Sequence, residues 1–557
     1  VSALQRPTAL ELRDLNVWFD QDAGRDAGEP SHTVKNLSLK VEAGERVGLV
    51  GESGCGKTTT ILAAMGLLPP SAEVSGAVFV DGVNVIEHGE ASIRGHRWKD
   101  VAMVFQGAMS AFNPVKTVGW QIVEALETHG IAHGAAAQAR TGELLELVGL
   151  EPAMASRYPH QFSGGMKQRA VIAMALSCNP KVLLADEPTT ALDVVVQDQI
   201  LQLMVRLSDE LNLALVLVTH DLGVIAQSCT RAAVMKAGEI VEEGPVEELY
   251  RRPKHPYTRA LFEATPSLDD APHDSELPEA MREPVPLLSV DRLRVVYGNR
   301  ERVRRTGGEI TVAPAAVEEV SLRVGEGELV ALVGQSGCGK TTTLQAILGM
   351  QKAASGSIAL DGTEVAGLSA RQWRPLRRNV QLIYQDPYEA LDGRFRVEDT
   401  VAEPLLVHKL GGTSAERRTM IADALRDVGL DPERYADRFP HELSGGQRQR
   451  VAIAASLVLR PRLLLADEPV SMLDVSVRTG ILELLDRLRR EYNMGILMIT
   501  HDLSTAAKYA DRIIVMRAGR IVEEGTPWQV VHEPRSEYTR RLLEAVPNPD
   551  PEIRRGA

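Results

Sequence analysis

The sequence predicts an α/β protein made of two tandem units, each built around a mainly parallel sheet. Three observations lead there. The chain repeats itself: Lys57 and Lys340, Ser163 and Ser444, Asp186 and Asp467, and His220 and His501 recur after about 280 residues. Each copy carries an apolar strand that runs straight into a glycine loop closed by Gly-Lys-Thr. Each copy also holds two short apolar runs, one ending in Asp-Glu and one in His, which read as buried parallel strands presenting polar groups at their C-terminal edges. The units are expected at 1–265 and 287–557. Residues 266–286, rich in proline and acid, are expected as an extended, solvated linker.

Length and composition fit this plan. A chain of 557 residues is too long for one core. Apolar residues at 44% and charged ones at 25% fit a globular protein rather than disorder. The net charge of −13 argues against nucleic acid as the main partner. No apolar run reaches bilayer-spanning length and the start is not read as a signal peptide, so a membrane role is expected only through partners. Cys55, Cys178, Cys229 and Cys338 form no Cys-x-x-Cys pair, which suggests neither zinc nor disulfides and fits a reducing cytoplasm.

Each copy opens on an alternating strand, 10–19 and 287–297. Polar insertions follow at 20–33 and 298–314; the second carries Arg300, Arg302, Arg304 and Arg305 and reads as a solvated hairpin. The loops GESGCGKTTT at 51–60 and GQSGCGKTTT at 334–343 come next. Gly51, Ser53, Gly54 and Gly56, and Gly334, Ser336, Gly337 and Gly339, leave backbone N–H groups free to wrap phosphates. Lys57 and Lys340 are expected on the β- and γ-phosphates, Thr58 and Thr341 on Mg²⁺, with Thr59 and Thr342 beside them. Cys55 and Cys338 read as small fillers.

Gln106 and Gln385 follow the next apolar strands. Helical segments lead to YPHQFSGGMKQR at 158–169 and FPHELSGGQRQR at 439–450. Ser-Gly-Gly before a helix is by itself an ordinary turn, yet its bare N–H groups and the helix N-terminus also make an anion seat. LLADEP closes the Asp-Glu strands, with Asp186 and Asp467 placed for Mg²⁺ and Glu187 and Glu468 for the attacking water. His220 and His501 end the last apolar strands, and paired Tyr-Thr-Arg segments close each copy at 257–259 and 538–540.

This order of motifs resembles the ATP-binding-cassette (ABC) ATPases, over nearly the whole chain. The resemblance implies a P-loop NTPase fold in which each cassette adds an antiparallel β subdomain and a helical subdomain around 115–165 or 395–445. It implies ATP as the nucleotide, Phe19 and Tyr297 stacking on adenine (a core aromatic being the alternative), and Gln106 and Gln385 contacting Mg²⁺ and water. Ser163, Gly164 and Gly165, and Ser444, Gly445, Gly446 and Gln447, become signature residues, and His220 and His501 switch histidines. Asp193 and Asp474 match the D-loop aspartate. The family's head-to-tail packing implies two composite sites, each pairing one half's phosphate loop with the other half's signature.

The tails and phrases such as GESGCGKTTT and HPYTRAL resemble one subfamily, the ATPases of dipeptide, oligopeptide and nickel importers. That likeness implies two transmembrane permease subunits, an extracytoplasmic substrate-binding protein and a peripheral place on the cytoplasmic face of the inner membrane. Peptide is the default cargo, with oligosaccharide, nickel and glutathione as alternatives. The chain departs from the pattern at Met166, where the signature normally has Gln. It also lacks the cysteines of the subfamily's iron–sulfur segment, so no cluster is expected, and no large regulatory domain is expected after His501. The rival from another class is a soluble two-cassette translation factor on the ribosome, against which the short acidic linker weighs; an exporter ATPase is the nearer alternative.

Overall fold

The computed structural model describes residues 7–20, 30–87, 89–107, 111–190, 192–274, 286–297, 304–306, 309–311, 315–386, 390–471 and 473–553. The chain divides into two compact units, residues 1–265 with 547–557, and residues 266–546.

The first unit is built on a six-stranded sheet in the order Glu239–Pro245, Arg231–Lys236, Arg46–Val50, Ala214–Thr219, Val182–Asp186, Val101–Val104. All but the edge strand Glu239–Pro245 run parallel. Val182–Asp186 and Ala214–Thr219 are buried at every position, which is why their sequences are apolar without alternation. The pleat still sorts their side chains: Leu183 and Ala185 join a core with the helices Val118–Thr128, Gly134–Leu147 and Gly164–Ala175. Val182 and Leu184 join the opposite core, under an antiparallel sheet in which Thr8–Phe19 lies between Ser31–Glu42 and Ala72–Val80. Each such Val or Leu contributes roughly 1.5–3 kcal/mol by burial, so both subdomains are tied to the strand that carries Asp186.

The second unit repeats the plan. Its sheet runs Val380–Ile383, Leu463–Asp467, Gly495–Thr500, Leu329–Val333, Arg512–Arg517, Arg520–Gly525, with only the last strand antiparallel. Pro286–Val295 is flanked by Val317–Gly325 and Ser355–Leu360 in the antiparallel sheet. The helices are Val397–Val407, Ser414–Asp427 and Gly445–Leu457. In the 298–314 insertion, Arg304–Thr306 pairs with Glu309–Thr311 as a short hairpin, while Arg300 and Arg302 lie outside the described residues.

The 266–286 segment differs from a solvated linker over its described part. Leu268–Asp270 forms a turn capped by Ser267, and Lys508 pairs with Asp270 at 3.7 Å. Asp274 accepts from Thr526 Oγ1 and, at 2.9 Å, from Gln529 Nε2, and the His273 and Trp528 rings lie 4.7 Å apart. Asp274 thus finds hydroxyl and amide donors at the start of the helix Pro527–His532, which composition alone does not reveal. Residues 275–285 lie outside the described part. No helix among the described residues is long and apolar enough to cross a membrane.

Candidate nucleotide site

In the first unit the strand Arg46–Val50 turns through the glycine loop into the helix Lys57–Ala64, whose N-cap Gly56 has φ 103°; Gly339 before Lys340–Ile347 has φ 110°. An L side chain is strained there, and a Cβ would also meet the carbonyl of Thr33 at 2.9 Å or of Ala316 at 2.5 Å. Both lysines are buried in their own loops. Lys57 Nζ donates to the carbonyls of Gly51 (2.7 Å) and Glu52 (2.8 Å), and Lys340 Nζ to those of Gly334 (2.6 Å) and Gln335 (3.0 Å). Cys55 and Cys338 are buried beneath the loops as fillers, and burial pushes the Cys338 thiol up, away from reactive thiolate.

Next to the loop, Thr58 Oγ1 donates to Asp186 Oδ1 at 3.1 Å, and Thr341 to Asp467 at 3.3 Å. Burial drives the Asp186 carboxyl up to about 6, Thr58 pulling back and Glu187 adding to the rise; Asp467 is raised in the same direction for the same reasons. A buried carboxylate of this kind favours a compensating cation. Glu187 and Glu468 end the same strands with φ 42° and 46°, a left-handed turn unusual for glutamate and frequent at functional positions.

Three polar groups converge on the Glu187 carboxylate. Gln106 Nε2 donates to Oε2 at 2.8 Å, Thr190 Oγ1 to the same oxygen at 3.0 Å, and His220 Nδ1 lies 2.9 Å from Oε1. Burial works against its charge, but the hydrogen bond and charge of His220, then Thr190 and Lys57, outweigh it and hold Glu187 below the usual carboxylate range. In the second unit Gln385 Nε2 and His501 Nδ1 both lie 3.1 Å from Glu468 Oε2, and Glu468 is lowered by the same balance of burial against His501. Thr190 was not a sequence candidate. Its counterpart Ser471 donates instead to the Glu468 backbone carbonyl at 3.2 Å.

The signature residues stand at separate helix N-termini. Ser163 caps Gly164–Ala175 and Ser444 caps Gly445–Leu457, each hydroxyl accepting at 3.3 Å from the third helical N–H. A Cβ on Gly165 or Gly446 would come 2.5 Å from Val196 or Val477, so the second glycine of each signature is fixed by packing. Gln447 closes a capping box, its Oε1 accepting from Ser444 N at 3.0 Å, and its Nε2 donates to the Tyr435 hydroxyl at 3.2 Å. Asp193 caps Val194–Glu210 through Val196 N at 3.1 Å, and Asp474 stands at the N-cap of Val475–Tyr492. The two expected adenine aromatics differ: Phe19 is half-buried against the β-subdomain core, whereas Tyr297 is 57% exposed with its hydroxyl 2.9 Å from Thr342 Oγ1.

Two phosphate loops, each beside an Asp (buried in the first unit, half-buried in the second) and a Glu held by Gln and His at the strands' C-terminal edges, define a protein of two P-loop nucleotide hydrolase domains. The ABC transporter family model matches residues 34–190 and 317–471, and the model of the oligopeptide/dipeptide transporter C-terminal region matches 241–287 and 522–557. The glutathione import ATP-binding protein GsiA of Pectobacterium atrosepticum is 41% identical, over 99% of this chain and 91% of that one. GsiA of Escherichia coli is 42% identical over 99% and 92%. A solved structure, cbiO1 of Clostridium perfringens, part of the ABC transporter complex cbiONQ, is 30% identical, with a TM-score of 0.39, over 45% of this chain and 92% of that one. The chain belongs to the ABC transporter family, as an ATP-binding ATPase subunit of an importer in the peptide and nickel subfamily.

Proposed function

We propose that this chain powers uptake of a small peptide, glutathione first among them, by binding and hydrolysing ATP at two composite sites. The observation that carries the chemistry is the duplicated clamp on Glu187 and Glu468. Each carboxylate is lowered by a histidine and held in place by a histidine and an amide, so it can orient and polarise a water without rotating away. On this reading Lys57 and Lys340 exchange their loop carbonyls for the β- and γ-phosphates of ATP. Thr58, Asp186 and Gln106, with Thr341, Asp467 and Gln385, present hard oxygen ligands that fit Mg²⁺, and the raised Asp186 and Asp467 carboxyls fit the added charge. When bound, Mg²⁺ supplies charge stabilisation to the transferring phosphoryl group. His220 and His501 keep the carboxylates aimed and donate toward developing charge.

The cargo reading is supported by likeness to glutathione importers across nearly the whole chain. The partners in this reading are two transmembrane permease subunits and an extracytoplasmic binding protein, which hold the chain peripherally at the cytoplasmic face of the inner membrane. A pull-down of tagged Glu187→Gln/Glu468→Gln protein from its native membranes with ATP tests both parts. Two polytopic subunits and a binding protein that takes up glutathione in calorimetry are the expected result. A binding protein that ignores glutathione but takes up other peptides, sugars or nickel would move the cargo, and recovery of ribosomes would sink the importer reading.

A further inference from the structure

The closing helices of the two units, Pro256–Ala264 and Glu537–Ala545, each bring one tyrosine onto a phosphate loop. The Tyr257 hydroxyl accepts from the backbone N–H of Glu52 at 3.1 Å, and the Tyr538 hydroxyl from that of Gln335 at 3.2 Å. These N–H groups belong to the peptide planes whose carbonyls, on Gly51 and Gly334, receive Lys57 Nζ and Lys340 Nζ. One peptide plane is therefore gripped from both edges, by the lysine at its C=O and by the tyrosine at its N–H.

The grip is built the same way twice. A cation from the neighbouring strand covers each ring, Lys236 Nζ 4.6 Å from the Tyr257 centroid and the Arg517 guanidinium 5.0 Å from that of Tyr538. The turn before each helix is pinned by a glutamate on the edge strand. Glu242 accepts from the N–H groups of Lys254 (2.8 Å) and His255 (3.0 Å), and Glu523 from those of Arg535 (2.7 Å) and Ser536 (3.1 Å). His255 Nδ1 and Ser536 Oγ then accept from the tyrosine N–H at 3.1 and 3.2 Å. A Cβ on Gly51 or Gly334 would lie 2.1 or 2.2 Å from the carbonyl of Met235 or Met516, the residue just before that cation, so loop, strand and tail meet at one point.

We infer that Tyr257 and Tyr538 are positioning residues for ATP binding, through which the transporter-specific C-terminal region holds the phosphate loop in shape. The inference rests on reading 51–58 and 334–341 as nucleotide loops. Once the lysine leaves its carbonyl for phosphate, the tyrosine is the side chain still holding that plane. Removing one hydroxyl removes one hydrogen bond, so nucleotide affinity at that site should weaken about fivefold, with kcat at saturating ATP kept.

The test is the full chain with Tyr257→Phe, Tyr538→Phe and both, which keep the ring and its cation. A fluorescent ADP analogue reads affinity, and hydrogen exchange by mass spectrometry reads the peptides that contain the Glu52 and Gln335 amides. The expected result is weaker binding and faster exchange, confined to the substituted unit, with an unchanged melting midpoint. Wild-type affinity and exchange in both Phe variants would overturn the inference, and so would a lowered melting midpoint that accounts for the weaker binding. Failure of the unsubstituted protein to bind nucleotide would instead overturn the reading of the loops themselves.

Discussion

The two units keep the same glutamine and histidine on Glu187 and Glu468 but brace the surrounding fold by different means. At the far end of the phosphate-loop strand the second unit buries a charge network. Arg489, 1% exposed, donates to Asp486 Oδ1 (Nε, 3.1 Å), to the Gly327 carbonyl (2.8 Å) and to Asp511, whose carboxylate also accepts from Leu329 N at 2.7 Å. The first unit has Ser208, Val205 and Thr230 at the matching positions, and there Ser208 Oγ donates to the Leu213 carbonyl at 2.8 Å. The matching position thus serves different carbonyls, Ser208 that of Leu213 and Arg489 that of Gly327, and the first unit places its own cation, Arg46, on the Ser228 carbonyl (3.0 Å) and Asp209. Loop, Asp, Glu, Gln and His show no such exchange, which fits the proposal that each faces the same phosphate and water.

The sharpest way to break the equivalence of the sites is to remove their proposed bases. Glu187→Gln and Glu468→Gln keep the shape and lose the charge. Each should lower turnover at its own site by about 10²–10⁴-fold, and the pair should leave ATP bound but unhydrolysed. Steady-state ATPase assays of the singles and the double decide it: a single variant at wild-type rate would mark that site as structural only.

Next in size is the bracing. Arg489→Met leaves the Asp511 carboxylate without its cation, while Asp486 keeps Arg490 at 3.0 Å, and should destabilise the second unit by about 3–5 kcal/mol. Ser208→Ala in the first unit removes one hydrogen bond and should cost about 1 kcal/mol. Denaturant unfolding followed by limited proteolysis reports which unit opens first. Equal losses from both substitutions would mean that the charge network adds nothing over a hydroxyl.

A smaller difference lies beside the base itself. Thr190 donates to the Glu187 carboxylate, whereas Ser471 donates to the Glu468 backbone. Thr190→Ala in a Glu468→Gln background should lower the remaining kcat about fivefold, the worth of one hydrogen bond at roughly 1 kcal/mol. Ser471→Ala in a Glu187→Gln background should change it less. Matching losses in the two backgrounds would show that the carboxylate contact is immaterial.

Much of this was readable beforehand because the chemistry is written in short contiguous runs. An apolar strand followed by GxxxxGKT, or ended by Asp-Glu, fixes the register and edge of its own polar groups, so Lys57, Asp186 and Glu187 fall together by topology alone. Thr190 and the Tyr257 grip were not readable. A hydroxyl three residues past a glutamate can turn to carboxylate or backbone, and a tyrosine some 200 residues from the loop it touches leaves no local pattern. The described part of 266–286 was misjudged for the opposite reason: composition excludes a core of its own but says nothing of docking onto Trp528, Thr526 and Gln529.

The finest contrast is at the signatures. Gln447 ties the second one down twice, to Ser444 N and to the Tyr435 hydroxyl. The first has Met166 and Met154 at those two positions, and both pack against the helical core instead. Met166→Gln by itself should rebuild the capping box, its Oε1 accepting from Ser163 N as Gln447 Oε1 does from Ser444 N, and add about 0.5–1 kcal/mol to that helix N-terminus. Met154→Tyr/Met166→Gln should add the second tie, because beside Met154 the amide Nε2 faces a thioether, a weak acceptor, where Gln447 has the Tyr435 hydroxyl. If the composite arrangement proposed above holds, the double substitution should raise the ATP hydrolysis left in the Glu187→Gln background about two- to fourfold. A double variant no faster than the Glu187→Gln parent would mean that the methionine pair holds its signature as well as the Gln–Tyr pair holds the other, and that the unequal caps carry no kinetic asymmetry.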